Sequence, residues 1–419
     1  MPITVTNGRW IQFRHSAALL VLVFIVAFVP LLTIRHNSVQ ANNYVALAQV
    51  LFFLFLIRET LRTIGKVVLN SRHIILSCFL GLAILIIVFS LFKVGGYDRA
   101  IYYISGFLFF FSLVYFFRNF NELYLVIAWL KIVSVLLVSM TFFIGLFWYR
   151  EDFYSFVISD PPVYGNIRHF NYELMMAFGA LYLLVVSKNV GFYIFSIFFL
   201  IFATFSVWTG GRAQLLSLLI LMVLLVFSKC YREAAVGMLM LALAFVLVFL
   251  SGETMILLGQ LDRTFDSAAI DQMSSGRLTL WYQTWSVGLE AGWLGHGADS
   301  FRSFDIVSNS IVQPHNSILQ FFFEYGFLGL VLSVCFFIWT SLICLRVIFL
   351  SSGVRFLKCL VSFLLSMYAY GLLTGIFYHA IPLSYMIILG ALCFSELNKQ
   401  LFDEELSACR PVRDPGKSS

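Results

Sequence analysis

Three short stretches of this 419-residue chain combine residue types suited to a phosphate-bearing substrate. Thr209-Gly210-Gly211-Arg212-Ala213-Gln214-Leu215-Leu216 leads into a long apolar run. Ser274-Ser275-Gly276-Arg277-Leu278-Thr279-Leu280-Trp281 opens an aromatic-rich run, and Pro314-His315-Asn316-Ser317-Ile318-Leu319 opens a third. In each, Gly, Ser or Pro followed by periodic apolar residues predicts a helix start. A helix start already carries unpaired N–H groups and partial positive charge. Arg in that first turn is therefore disfavoured by a few tenths to about 1 kcal/mol. Two such arginines, Arg212 and Arg277, call for an anion, and phosphate suits both a guanidinium fork and a helix N-terminus. The competing reading pairs each Arg with a loop carboxylate or a lipid phosphate. His315 adds an imidazole, a side chain able to take a proton from a hydroxyl.

Other side chains on the same side are weaker candidates. Arg168, Arg302 and His379 rank second by position, and Trp281 and Trp285 lie one helical turn apart. Those two tryptophans either stack on a sugar or pack their segment onto the membrane, the second being the better reading. His296, in Gly295-His296-Gly297, reads as part of a backbone turn. Neither a His-x3-His nor a Glu-x-x-His pair occurs on this side, which argues against zinc. The absence of an Asp-x-Asp pair argues against a divalent-metal transferase, so no metal or other cofactor is expected.

Composition defines what must carry these residues. Hydrophobic residues make up 61% of the chain and charged residues 11%, with 47 Phe and a mean hydropathy of +0.93. A soluble domain carries about 25% charged residues, and a membrane span needs about 20 mainly apolar ones. The chain is thus an all-α polytopic membrane protein with membrane lipids around it and no nucleic-acid partner. Apolar windows at 16–34, 43–57, 74–92, 100–117, 123–148, 173–187, 191–207, 213–229, 233–251, 327–349, 356–377 and 383–397 predict about 12 transmembrane helices. Lys and Arg concentrate on the side of the N-terminus, 17 of 27 against 9, which places both termini in the cytoplasm. The three motifs then face outward. None of the seven Cys falls in an outer loop, so no disulfide framework is expected.

The expected organisation is transmembrane helices 1–9 over residues 1–251, a large outer loop over 252–316, helices 10–12 over 317–397, and a cytoplasmic tail over 398–419. The loop holds seven acidic residues against Arg263, Arg277 and Arg302, a formal charge of −4. A second outer loop, about 149–172, contains Asp160-Pro161-Pro162 and Arg168-His169.

In this setting the motifs resemble those of the O-antigen ligase and O-antigen polymerase superfamily. The resemblance rests on Gly211-Arg212-x3-Leu216, Ser275-Gly276-Arg277-x3-Trp281, Gly295-x-Gly297 and His315-Asn316-x2-Leu319 with Gly326 beyond, all within about 205–330. It implies a GT-C-type glycosyltransferase, multi-pass in the bacterial inner membrane, with its active site facing the periplasm. The donor would be an O-antigen glycan on undecaprenyl pyrophosphate and the acceptor lipid A–core, joined without metal and with inversion. Arg212 and Arg277 would then clamp the pyrophosphate, whose charge grows in the transition state, and His315 would act as base or orient the acceptor. Arg168, Arg302, Trp281 and His379 would be further substrate-binding residues. Within the family the alternative is the polymerase, which joins lipid-linked repeat units. Arg168-x10-Gly179 and Arg277-x10-Gly288 fit a spacing resembling polymerase loop motifs. A secondary transporter is a third reading, disfavoured because no internal repeat is present and Lys131 is the sole basic residue away from the ends of a window.

Overall fold

Backbone N–H and C=O groups surrounded by lipid must bond within their own segment, which favours helices throughout. The computed structural model describes residues 16–29, 38–68, 84, 97–119, 122–150, 167–251, 276–304, 306, 313–350 and 355–408. Among the described residues the regular elements are all helical. They are α1 (Ser16–Val26), α2 (Ser38–Phe55), α3 (Ile57–Val68), α4 (Tyr97–Asn119), α5 (Glu122–Arg150), α6 (Ile167–Val186) and α7 (Phe192–Trp208). Then follow α8 (Arg212–Phe227), α9 (Tyr231–Leu250), α10 (Arg277–Glu290), α11 (Ser317–Leu350), α12 (Arg355–Leu373) and α13 (Ala380–Ala408). Short 3-10 turns occupy Ser300–Ser303 and Ile376–Tyr378.

Six of these helices are long and apolar enough to cross a membrane, or seven if α2 and α3 count as one span bent by 84°. Four shorter apolar helices, including α7 and α8, accompany them among the described residues. The protein is therefore a multi-pass helical membrane protein, while a total of twelve spans stays an expectation. The 74–92 window apart from Ile84, the Asp160-Pro161-Pro162 segment, residues 252–275 of the large loop and the tail beyond 408 lie outside the described residues.

Helix ends explain the spacing of the first motif. Gly210 adopts φ +65° and closes α7, with Gly210 N–H donating to Val207 O and Gly211 N–H to Ser206 O, both at 3.0 Å. That double closure leaves Gly211 as the residue before α8 and Arg212 as its first helical residue. Lys188 and Lys229 end α6 and α8 in the same left-handed geometry.

At the centre stands α6, packed by α5, α7, α12 and α13 and almost wholly buried. It begins earlier than the hydropathy window suggested. Residues 167–172, expected in an outer loop, form its first turns, because Asn171 and Tyr172 are buried against neighbouring helices rather than solvated. A second difference concerns Arg99, one of the nine basic residues that the charge count assigns to the outer side. It lies inside α4 with 1% exposure, held by groups from two distant segments.

Gly326 divides α11. Its φ of 67° and ψ of −156° break the helix, so Ser317–Tyr325 forms a separate segment ahead of the span proper. The loop after α10 is stitched onto this break. His296 N–H donates to Phe323 O at 3.0 Å, Gly297 N–H to Glu324 O at 2.9 Å, and Phe327 N–H to Gly292 O at 3.2 Å. Gly295 and Gly326 pass so closely that a Cβ on either would meet the other's backbone N at 2.4–2.5 Å. The Gly295-x-Gly297 element and the Gly326 that follows the His315 motif thus meet at one crossing.

Candidate functional site

The C-terminal end of α12 is the platform on which the Arg277 and His315 motifs converge. Arg277 is the first residue of α10, preceded by Gly276 at φ +73°. Its Nη1 donates to Leu373 O at 2.5 Å. Two residues back along α12, Gly371 O accepts from Ser317 Oγ at 2.7 Å, which fixes the start of α11. The two motifs also bond to one another, Trp281 Nε1 donating to Pro314 O at 2.9 Å. Trp281 therefore spends its polar atom on the turn that carries His315.

His315 does not lie in the helix it precedes. It sits at φ +54°, a left-handed position uncommon for a residue with a side chain, between Pro314 and the cap of α11. Asn316 is that cap, its Oδ1 accepting from Leu319 N–H at 3.0 Å. The tight turn orients a half-buried His315 apart from the backbone ladder.

Arg212 reaches the same region through α6. Asn171 accepts from Thr209 Oγ1 at 3.1 Å and lies beside Gly211, 3.1 Å from where a Cβ would stand. Two residues earlier on α6, His169 meets His379 edge-on with ring centroids 4.4 Å apart. His379 in turn shares a hydrogen bond of 3.0 Å with Gln313, and Tyr172 packs against the His379 ring at 5.3 Å. The Gln313 side chain fills the space where Gly375 has no Cβ. A continuous set of polar side chains thus leads from the start of α8, through α6 and the 374–379 turn, to the His315 turn and α10. The exposed Arg212 guanidinium and the half-buried Arg277 stand at its two ends.

Arg302 belongs to a neighbouring cluster. Its Nε donates to Tyr378 Oη at 2.8 Å, and Tyr378 Oη donates to Asp299 Oδ1 at 2.9 Å. Arg99 donates to Tyr378 O, pairs with Asp299 at 3.4 Å and stacks on the Tyr378 ring at 3.5 Å. Burial pushes the Tyr378 phenol up to about 12, so it remains a neutral donor at physiological pH. This cluster fastens the loop after α10 to α4 and the 376–378 turn. Arg168 is the second residue of α6, and its side chain lies outside the described residues.

Sequence reasoning passed over Asn171, Glu173, Gln313, Asp299 and Tyr378 and gave Arg99 no role in the site. Glu173 is 2% exposed with an Oε2 that makes no hydrogen bond, one turn beyond His169. Its signal in sequence is a carboxylate inside an otherwise apolar run. The glycines of the two Arg-x10-Gly spacings are close-packing positions, Gly179 against Phe363 and Gly288 against Phe322, where a Cβ would come within 2.1 and 2.5 Å of a ring. Among the described residues no three His, Cys, Asp or Glu side chains converge as a metal site.

Fold and site together define a multi-pass helical membrane protein with arginines and a histidine gathered around one helix end. Residues 197–334, from α7 into α11, match the family model described as O-antigen ligase. Over that segment, a third of its length, the chain is similar to the O-antigen ligase superfamily, whose members are glycosyltransferase-like enzymes of lipopolysaccharide synthesis. No curated protein matches the chain. Arg212, Arg277, Arg302 and His315 fall within the matched segment, while Arg99, His169 and His379 come from outside it.

Proposed function

We propose that this protein is an O-antigen ligase of GT-C type in the bacterial inner membrane, acting at its periplasmic face. Its donor is a glycan on undecaprenyl pyrophosphate and its acceptor a sugar hydroxyl of lipid A–core. The observation that supports this most is the joint anchoring of α10 and the His315 turn on one helix end, through Leu373 O, Gly371 O and the Trp281–Pro314 bond. It ties the helix that starts at Arg277 and the turn that carries His315 to the same helix end.

In the proposed reaction the acceptor oxygen attacks the anomeric carbon from the face opposite the pyrophosphate. The new C–O bond forms as the bond to the phosphate oxygen breaks, which inverts the anomeric carbon. Undecaprenyl pyrophosphate leaves with an added negative charge, which Arg212 and Arg277 stabilise together with the N–H groups at the starts of α8 and α10. His315 takes the proton of the acceptor hydroxyl. His379 and Gln313 orient the acceptor beside it. No metal takes part in this scheme.

Deletion of the gene followed by lipopolysaccharide electrophoresis tests the reading. Bare core with lipid-linked polymer accumulating is the expected pattern. Core bearing a single repeat unit would make the protein a polymerase, and an unchanged ladder would remove both assignments.

A further inference from the structure

Helix α10 has three faces, each with its own surroundings. Leu280, Thr284 and Gly288 are buried against α11. Thr279, Gln283, Ser286 and Glu290 form a polar stripe at helical spacing. Leu278, Tyr282, Trp285 and Leu289 form a second exposed stripe with the same spacing that is wholly apolar or aromatic, Tyr282 being 73% exposed. Just past the helix, Trp293 is 69% exposed. A helix with one face on protein, one polar and one apolar has the makeup of an element lying in a membrane interface. Tyr and Trp are the residues enriched at that depth.

Trp285 of this stripe and Trp293 also pack onto the start of the following span. Trp285 stacks on Phe322 at 4.6 Å, Phe322 meets Phe327 at 5.4 Å, and Phe327 meets Trp293 at 5.8 Å. Beyond Phe327, α11 exposes Val331, Cys335, Ile338 and Leu342, again on one helical face. An exposed apolar surface that adjoins a membrane-spanning face belongs to the same lipid.

We propose that the Leu278–Tyr282–Trp285–Leu289 face of α10, with Trp293, lies in the outer-leaflet lipid of the membrane and sets the depth of the helix. Arg277, the first residue of α10, is thereby held at the level of lipid phosphates, where a membrane-anchored pyrophosphate has its charge. The surface itself does not depend on the ligase reading, and the role it gives Arg277 rests on it.

The test places p-benzoylphenylalanine at position 282, 283, 289 or 290 of the full-length chain, reconstituted in vesicles of radiolabelled phosphatidylethanolamine and phosphatidylglycerol. Irradiation should give phospholipid adducts at 282 and 289 several-fold above those at 283 and 290. Equal, low labelling at all four positions would overturn the proposal, as would a crosslinked dimer at 282 in place of a lipid adduct. In addition, Tyr282→Asp should raise KM for a vesicle-borne donor several-fold while kcat holds; an unchanged KM would overturn the depth-setting role. The crosslink involves no glycan, so lipid adducts in a protein without transferase activity would refute the ligase reading and leave this surface standing.

Discussion

In the proposed reaction Arg277 has a structural bond as well as a substrate to hold. Nη1 donates to Leu373 O, which fixes the plane of the fork. Lys has one compact ammonium and cannot hold a carbonyl while presenting a planar fork. Arg277→Lys should therefore fall well short of wild-type activity, and Arg277→Ala should lower kcat by about 100- to 1,000-fold, the loss seen when one transition-state donor is removed. Steady-state transfer assays on protein shown to insert normally check both. His315 needs a different control because its backbone is left-handed. Asn tolerates that conformation, so His315→Asn keeps the turn while removing the imidazole. Loss of transfer in His315→Asn with unchanged thermal stability would assign the effect to the side chain; retained transfer would exclude His315 as the base.

At the scale of elements, glycine decides where the motif segments can approach each other. Gly276 and Gly326 both have positive φ, but their surroundings differ. Nothing lies within 4 Å of a Cβ at Gly276, whereas at Gly326 it would strike Gly292 O at 2.4 Å. Gly276→Ala should cost about 1–2 kcal/mol, the strain of a left-handed alanine alone. Gly326→Ala adds a backbone collision to strain of about 1–3 kcal/mol, and it should lower the unfolding temperature much further. Thermal unfolding of the two variants in detergent checks the order. Trp281→Phe should preserve packing while losing the bond to Pro314 O, a loss of about 0.5–1.5 kcal/mol that loosens the His315 turn. A larger fall in kcat than in stability is the expected result.

For the molecule as a whole, one contact that joins the segment after α10 to the bundle is the Arg99, Asp299, Tyr378 and Arg302 cluster. Removing one member of a buried pair leaves the other charged and uncompensated, at about 3–5 kcal/mol. Asp299→Ala should therefore be strongly destabilising, and the double variant Arg99→Met with Asp299→Ala should recover much of the loss. A double-mutant cycle on unfolding measures that coupling. Additive effects would mean that the two residues act separately.

How much of this could be read from the chain follows from the range of the interactions. Helices, the starts of α8 and α10 at Arg212 and Arg277, and the turn before α11 are local matters. Gly, Ser, Pro and apolar periodicity within a few residues settle them, because capping and helix hydrogen bonds reach four residues at most. The motif order carries the family resemblance for the same reason, as it needs no knowledge of what touches what. Arg99 shows where that reach ends. Its neighbours along the chain mark it as a membrane-edge cation, and only Asp299 and Tyr378, 200 and 279 residues away, turn it into a buried tether. Residues 167–172 read as loop in sequence because their polar side chains lower local hydropathy. Their burial rests on partners such as Thr209 and His379 from other helices. Local spacing thus specified which residues begin helices, while packing between distant segments decided which polar groups stand together, since a buried polar side chain is stabilised by its partner and not by its sequence neighbours.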